Sequence, residues 1–314
     1  MPFEQPRKIY RYRAFSSMAV NSLCHDQLYF ANPASFNDPL DCQPKVEIDT
    51  DIGVLRLLLS ELISRRVSAN TISSLKNAKL EEKKAAAHAK KLGAQASHNE
   101  LANIAYHATN PEYEDSILEV EGNLLSGEIE RELKMQYGRG VCCFSASAGN
   151  PLLWSHYGDQ HRGICIGYGL DREPRPILRK VEYGGTRTVK TSRIAKALLD
   201  NDSKAQELLD RDVLLRKASA WRYEREWRLI GERGVQDSTL ALEEVIFGLR
   251  CPDAVMHSVI MALDSREAQI DFYKMNVDGG SFKLRRNRVD IDDIYYLPRT
   301  AKSGIEMFGH ISES

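Results

Sequence analysis

No apolar run in the 314 residues approaches the roughly 18 uninterrupted residues that a membrane helix requires. The opening segment, MPFEQPRKIYRYR, lacks the apolar stretch that a secretory signal carries. A cytoplasmic chain without a membrane partner is therefore expected. An excess of charge of one sign is missing as well: 43 Lys and Arg stand against 44 Asp and Glu, a net charge of −1. That balance excludes a globally basic nucleic-acid binder while leaving room for a local basic patch. The six cysteines (Cys24, Cys42, Cys142, Cys143, Cys165 and Cys251) contain no C-x₂-C pair. His156 and His161 have H-x₄-H spacing, but without a cysteine pair they make no zinc motif, and no metal is expected. Free thiols in a reducing compartment are the simpler reading. There are no internal repeats.

What is present is an ordinary globular composition, 42% hydrophobic and 28% charged, in a chain long enough for a sizeable core. KIYRYR (8–13) alternates and reads as a strand, and Ser16-Ser17 can cap a short helix through Leu23. QLYFANP (27–33) is a second strand ended by Pro33. ASFNDPLDC (34–42) then reads as a tight hydrogen-bonded turn. From about residue 51 the period changes, with Ile52, Leu55, Leu59, Leu62 and Ile63 on one helical face. The Ala- and Lys-rich stretch 75–93 favours helix, as do the segments 99–109 and 113–135. A helical insertion or subdomain is thus expected over 51–135.

Strand character returns at 140–147, 163–170 and 179–184, and a helical region follows from Ser192 to about Ala220. WRYEREWRLIGE (221–232), EEVIFG (243–248), HSVIMAL (257–263) and SFKLRRNRVDI (281–291) read as further strands. Strands and helices come in groups, so the expected class is α+β, a single domain over 1–314 with short, mostly antiparallel strands.

Four clusters carry possible chemistry. In Tyr10-Arg11-Tyr12-Arg13, a strand would place both guanidiniums on one face, suited to phosphate or carboxylate, or merely solvated. Asn37, Asp38 and Asp41 in the NDPLD turn are expected in a structural role, bonding the backbone and fixing the loop against the β-core. Trp154, His156, Tyr157, His161 and Arg162 gather aromatic, titratable and basic groups beside the Ser145-bearing strand. Glu224 and Glu226 form an E-x-E pair that, on a strand, shares one face with Arg228. It reads either as a structural salt-bridge ladder or as a carboxylate pair facing a cleft.

The motifs YRYR (10–13), LYFANPASFNDPLDC (28–42), CFS (143–145), LLWSHYGDQHRGICIGY (152–168), WRYEREWRLI (221–230) and IFG (246–248) resemble the bacterial family termed domain of unknown function 2971. Their order is also similar to that of ADP-ribosyltransferases, which use an early Arg or His, a Ser-bearing strand and a late E-x-E. That resemblance implies a split sheet and an NAD-consuming enzyme, transferring ADP-ribose or hydrolysing NAD, of the kind found in toxins and anti-phage defence effectors. It implies Glu226 against the nicotinamide ribose and Glu224 on the acceptor, a protein or nucleic acid, with His156 a further catalytic candidate. Arg11 or Arg13 would hold the pyrophosphate or the adenosine ribose, Ser145 the nicotinamide ribose or the Glu itself, and Trp154 or Tyr157 the nicotinamide ring, with His161 a further cofactor-binding candidate. A rival reading is a nucleic-acid-binding or -cleaving protein using Lys83, Lys84, Lys90, Lys91, Lys283, Arg285, Arg286 and Arg288. A third is a non-enzymatic sensor that contacts a partner through the helical block.

Overall fold

The computed structural model describes residues 5–77, 82–297 and 301–308. The chain opens with β1 (Lys8–Arg13), α1 (Ser17–Cys24) and β2 (Gln27–Phe30). Ser16 starts α1 by accepting the Ala19 N–H at 3.1 Å. A 3₁₀ turn (Pro33–Ser35) and β3 (Lys45–Glu47) lead to three long helices: α2 (Ile52–Asn77), α3 (Glu82–His107) and α4 (Ile117–Gln136). Residues 78–81 of the expected 75–93 helix lie outside the described residues. Ser116 and Glu119 form a capping box that fixes the start of α4.

Next come β4 (Gly140–Ser145), α5 (Pro151–His156), β5 (Ile164–Gly169) and the short strands β6 (Arg179–Lys180), β7 (Glu182–Tyr183) and β8 (Thr188–Lys190). Helices α6 (Thr191–Leu198) and α7 (Ser203–Leu214) precede β9 (Arg216–Lys217) and a second 3₁₀ segment (Ser219–Glu224). The remainder is β10 (Glu226–Gly231), β11 (Gly234–Asp237), β12 (Ala241–Phe247), α8 (Asp253–Leu263), β13 (Asp271–Val277), β14 (Leu284–Arg288), α9 (Ile291–Tyr295) and α10 (Gly304–Phe308).

Eight strands form one sheet in the order β14-β13-β12-β5-β1-β4-β10-β6. Every neighbouring pair is antiparallel except β12 and β13, which makes the class α+β. That one parallel pair corrects the expected strand at 257–263. Parallel neighbours need a crossover, and the segment supplies it as α8, burying Met256, Val259, Ile260 and Leu263 at helical spacing. The expected strand 221–232 is shorter too. It begins at Glu226, after the 3₁₀ segment and a left-handed Arg225 at φ 47°, ψ 50°.

Two large cores and a smaller cluster of Trp154, Cys165, Ile246 and Met275 hold the described residues together. One face of the sheet packs Ile9, Phe144, Ile166, Trp227 and Phe247 against α1 and α8. The second core joins Leu55, Leu59 and Leu62 of α2 with Ile129 and Leu133 of α4, and also with Ile194 of α6 and Leu209 and Val213 of α7. The helices of 51–135 thus share their interior with helices from much later in the chain. Among the described residues no helix is long and apolar enough to cross a membrane. All six cysteines are free.

One seam in the sheet is incomplete. β1 pairs with β5 along its whole length, from Lys8 opposite Gly169 to Arg13 opposite Ile164. Its register with β4 is a single position, Tyr10 opposite Ser145. At the other end of β4, Val141 exchanges both backbone hydrogen bonds with Ala31 instead, each at 2.9 Å. The sheet opens between β1 and β4.

The turn that links α5 to β5 is built under unusual constraint. Asp159, Gln160 and His161 all have positive φ, at 49°, 51° and 70°. Each such non-glycine residue costs about 1 kcal/mol or more unless its surroundings enforce it. Here they do, because Trp154 is fully buried beneath the turn and the neighbouring backbones lie very close. A Cβ on Gly248 would fall 2.2 Å from the His161 carbonyl oxygen. Gly248→Ala should therefore lower the unfolding free energy by about 1–3 kcal/mol, the usual cost of overpacking. Gly280→Ala, where a Cβ would meet nothing within 4 Å, should change it by less than about 0.5 kcal/mol. Urea denaturation of the two variants provides the comparison.

Candidate functional site

The site begins with a turn. Asp38 accepts the Leu40 N–H at 2.9 Å, and the Asp41 N–H closes the turn on the Asp38 carbonyl at 3.1 Å. Pro39 excludes helix for Asp38, so this Asx turn is the local solution, and it aims Asp41 inward. Across from it, the 3₁₀ segment 219–224 is tied to the end of β4. Ser145 Oγ donates to the Glu224 carbonyl at 2.6 Å, Ala146 N–H reaches the Arg225 carbonyl at 3.1 Å, and Asn150 Nδ2 donates to the Tyr223 carbonyl at 2.9 Å. The left-handed Arg225 then sets Glu224 and Glu226 beside one another. Lys217 enters from β9, a two-residue strand held parallel to β7.

These elements assemble a buried charge network. Arg228, fully buried, donates from Nε to Glu226 Oε1 at 2.7 Å, from Nη2 to Asp41 at 2.7 and 2.9 Å, and from Nη1 to the Leu214 carbonyl at 2.7 Å. Lys217 Nζ donates to Glu224 Oε2 at 2.6 Å and Glu226 Oε2 at 2.9 Å, and lies 3.3 Å from Asp41 Oδ2. The Tyr157 hydroxyl donates to Glu224 Oε1 at 2.8 Å and accepts from Asn37 Nδ2 at 3.0 Å. Three carboxylates thus face two cations, leaving one negative charge in excess.

The neighbours set the protonation of each group. Burial by itself would raise the Glu226 carboxyl, but Arg228 and Lys217 outweigh it and hold Glu226 at about 2. Glu224 moves the other way, because burial and the nearby Glu226 outweigh the single Lys217 ammonium. Burial works against the Lys217 charge, yet its carboxylates raise it above the ordinary lysine value. Burial pushes the Cys42 thiol up to about 12. Cys143, beside Glu226, is likewise raised, by burial first and by that carboxylate second.

The network floors a cleft of about 280 Å³ at the open seam. Tyr10, Arg11 and Tyr12 of β1 form one wall and Cys143, Phe144 and Ser145 of β4 the other, closed by Phe36, Asn37 and Tyr157. Consecutive residues of each strand line it, as an opening within a sheet allows. Arg11 spends one donor on the Tyr29 carbonyl at 2.9 Å and lies 6.0 Å from the centre of the Phe144 ring.

Of the expected site residues, Arg11, Ser145, Tyr157, Glu224 and Glu226 line this cleft, as do Asn37 and Asp41. Others do not. Trp154 is in the core, its Nε1 on the Ala148 carbonyl at 2.9 Å and its ring edge-on to Tyr12, so no ring of a ligand reaches it. His161 stacks on Trp154 and contacts Ser155 Oγ at 3.3 Å. His156 is exposed and touches the edges of Tyr157 and Trp221. Arg13 is half-buried outside the cleft, and burial followed by the charge of Arg11 lowers its pKa. Within the NDPLD turn only Asp38 bonds backbone. Asn37 bonds Tyr157, and Asp41 joins the charge network because buried Arg228 leaves a guanidinium edge that only a carboxylate satisfies. Lys217 lies in no motif that the sequence singles out, since a two-residue strand offers no period to read.

Among the described residues no group of three or more His, Cys, Asp and Glu is placed to hold a metal ion. The Lys217 ammonium sits where Asp41, Glu224 and Glu226 converge.

In comparison with known families, residues 153–229 match the family described as protein of unknown function (DUF2971). The resemblance read from the motifs is thereby supported, and the matched stretch contains Tyr157, Lys217, Glu224, Glu226 and Arg228. No curated protein and no solved structure matches the chain.

The network ties stability to pH. Glu226 has a folded-state pKa near 2 against an ordinary 4.5. Its stabilisation is complete above about pH 4.5 and lost as the pH falls towards 2. The raised Glu224 acts oppositely, its contribution fading as the pH rises through its folded value. The unfolding free energy should drop between pH 5 and 2. Glu226→Gln should cost about 3–5 kcal/mol at pH 7, since it leaves Arg228 and Lys217 short of a partner, and should flatten that drop. Urea titrations across this range would measure both effects.

Proposed function

We propose that the cleft is the active site of an enzyme that cleaves the N-glycosidic bond of NAD, by ADP-ribosyl transfer or hydrolysis. One observation carries the reading: Arg11, Ser145, Tyr157, Glu224 and Glu226, drawn from distant segments, line a single cleft. Such clefts with converging polar groups and perturbed carboxyls are where chemistry concentrates.

The electrostatics support the same reaction. Breaking the ribosyl–nicotinamide bond develops positive charge on the ribose, as in glycoside hydrolysis. A floor with one surplus negative charge stabilises that charge, and the fixed, ionised Glu226 is its centre. Both oxygens of Glu226 are held by cations, Oε1 by Arg228 and Oε2 by Lys217, and its side chain is only 4% exposed, so it acts on the ribose through its charge rather than by a direct hydrogen bond. Arg11 keeps most of its donors for a phosphate at the opposite wall. Ser145 acts indirectly, because its proton holds the Glu224 backbone in place. With Trp154 in the core, aromatic contact to the nicotinamide passes to Phe36 or Tyr10, which line the cleft.

The nucleic-acid reading has less support. Arg286 is committed to Glu244 and Arg288 to Asp271, so two of the three arginines on β14 are neutralised by their own neighbours.

The purified chain should release nicotinamide from NAD. Glu226→Gln, normalised to the folded fraction, should lower kcat by on the order of 10²–10³, the loss typical of one well-placed electrostatic group. Arg11→Ala should instead raise KM, since its contact exists before and during the reaction. Nicotinamide release with thermal melting as the folding control measures both. A wild-type chain that neither binds nor cleaves NAD, even with cell extract added, would end the reading.

A further inference from the structure

Glu224 and Glu226 share Lys217 but differ in their second partner. Glu226 receives a second cation, Arg228 Nε at 2.7 Å, whereas the other oxygen of Glu224 receives only the neutral Tyr157 phenol at 2.8 Å. Glu224 is therefore the carboxylate with capacity for a proton. Its side chain is only 5% exposed and both of its oxygens are occupied, so a reacting group in the cleft has no free oxygen of Glu224 to meet. Tyr157, half-buried and lining the cleft, stands between.

The direction of the hydrogen bonds is fixed by chemistry. An amide N–H cannot accept, so Asn37 Nδ2 donates to Tyr157 Oη, and the phenolic proton has to point at Glu224. The second lone pair of Oη is left for a donor in the cleft. We propose that Tyr157 is a catalytic residue that relays a proton from the attacking water or hydroxyl to Glu224, with Asn37 as its positioning residue. The proposal rests on the N-glycoside reading above.

The step balances without any other reactant. The nucleophile bonds to the anomeric carbon of the nicotinamide ribose, and the bond from that carbon to nitrogen breaks with its electron pair. Nicotinamide departs neutral because the pyridinium nitrogen began with a positive charge. The proton of the nucleophile passes to Tyr157 Oη while the phenolic proton passes to Glu224 Oε1. Burial and the Glu224 charge hold the phenol above its ordinary pKa, so the two transfers proceed together rather than through a free tyrosinate.

Azide separates this role from a structural one, since it is a nucleophile that needs no deprotonation. Tyr157→Phe should lower kcat with NAD by about 10²-fold or more with KM little changed, and azide should restore turnover as an azide adduct of ADP-ribose. Asn37→Ala, an exposed substitution, should show a smaller loss with the same rescue and keeps the test open should Tyr157→Phe fold poorly. Wild-type kcat in Tyr157→Phe, or a folded variant that azide does not rescue, overturns the relay and leaves the reading intact. Failure of azide to rescue a folded, impaired Asn37→Ala overturns it equally. A wild type inert towards NAD overturns both.

Discussion

The Arg228 guanidinium is the constraint on which the rest of the structure depends. A fully buried cation is tolerable only if its donors are met, and they are met by three separate parts of the chain. Glu226 comes from the same strand, Asp41 from the loop after β2, and the Leu214 carbonyl from the end of α7. That last contact joins the sheet to the helical core, in which Leu214 itself is buried. The loop 36–42, the two cores and the floor of the cleft are therefore settled together. Burying an ion pair contributes little net stability in itself, but a structure that leaves one partner out is heavily penalised. The network acts as a selector of one arrangement.

The open seam follows from how β4 is shared. Its Ser145 end pairs with β1 while its Val141 end pairs with Ala31, so the chain beyond Ala31 is drawn to the edge of the opening. Phe36, placed by that path, covers the Arg228 guanidinium at 5.5 Å. The cleft at this gap is thus lined by the loop that completes the charge network. Cleft lining and structural support are the same residues.

Much of the fold was legible in the sequence. The strands at 8–13, 27–30, 140–145 and 164–169 announce themselves by alternation or by short apolar runs between turns. HSVIMAL (257–263) misleads because a short apolar run has no period to distinguish strand from helix, and only the parallel pairing of β12 with β13 decides it. Within the site, the E-x-E pair, Arg11, Ser145 and Tyr157 stand out by residue type. Trp154 and His161 stand out equally, yet they serve the left-handed turn over the core, where close backbone approach to Gly248 leaves no room for alternatives. Dense motifs mark constrained positions, and constraint arises from packing as readily as from chemistry. Lys217 carried no signal because its importance lies wholly in three partners distant in the chain or across a turn.

The origin of β1 bears on modularity. This strand lies in the middle of the sheet, between β5 and β4, although it is the first in the sequence. The segment 153–229 that carries the family resemblance contains β5 and the first part of β10 but neither of the strands that lie between them. It also holds both cations of the network without Asp41. Within that stretch alone, β5 and β10 have no path of sheet hydrogen bonds between them, and the Arg228 guanidinium is short of the Asp41 carboxylate. In this chain the matched stretch depends on strands and a carboxylate that lie outside it.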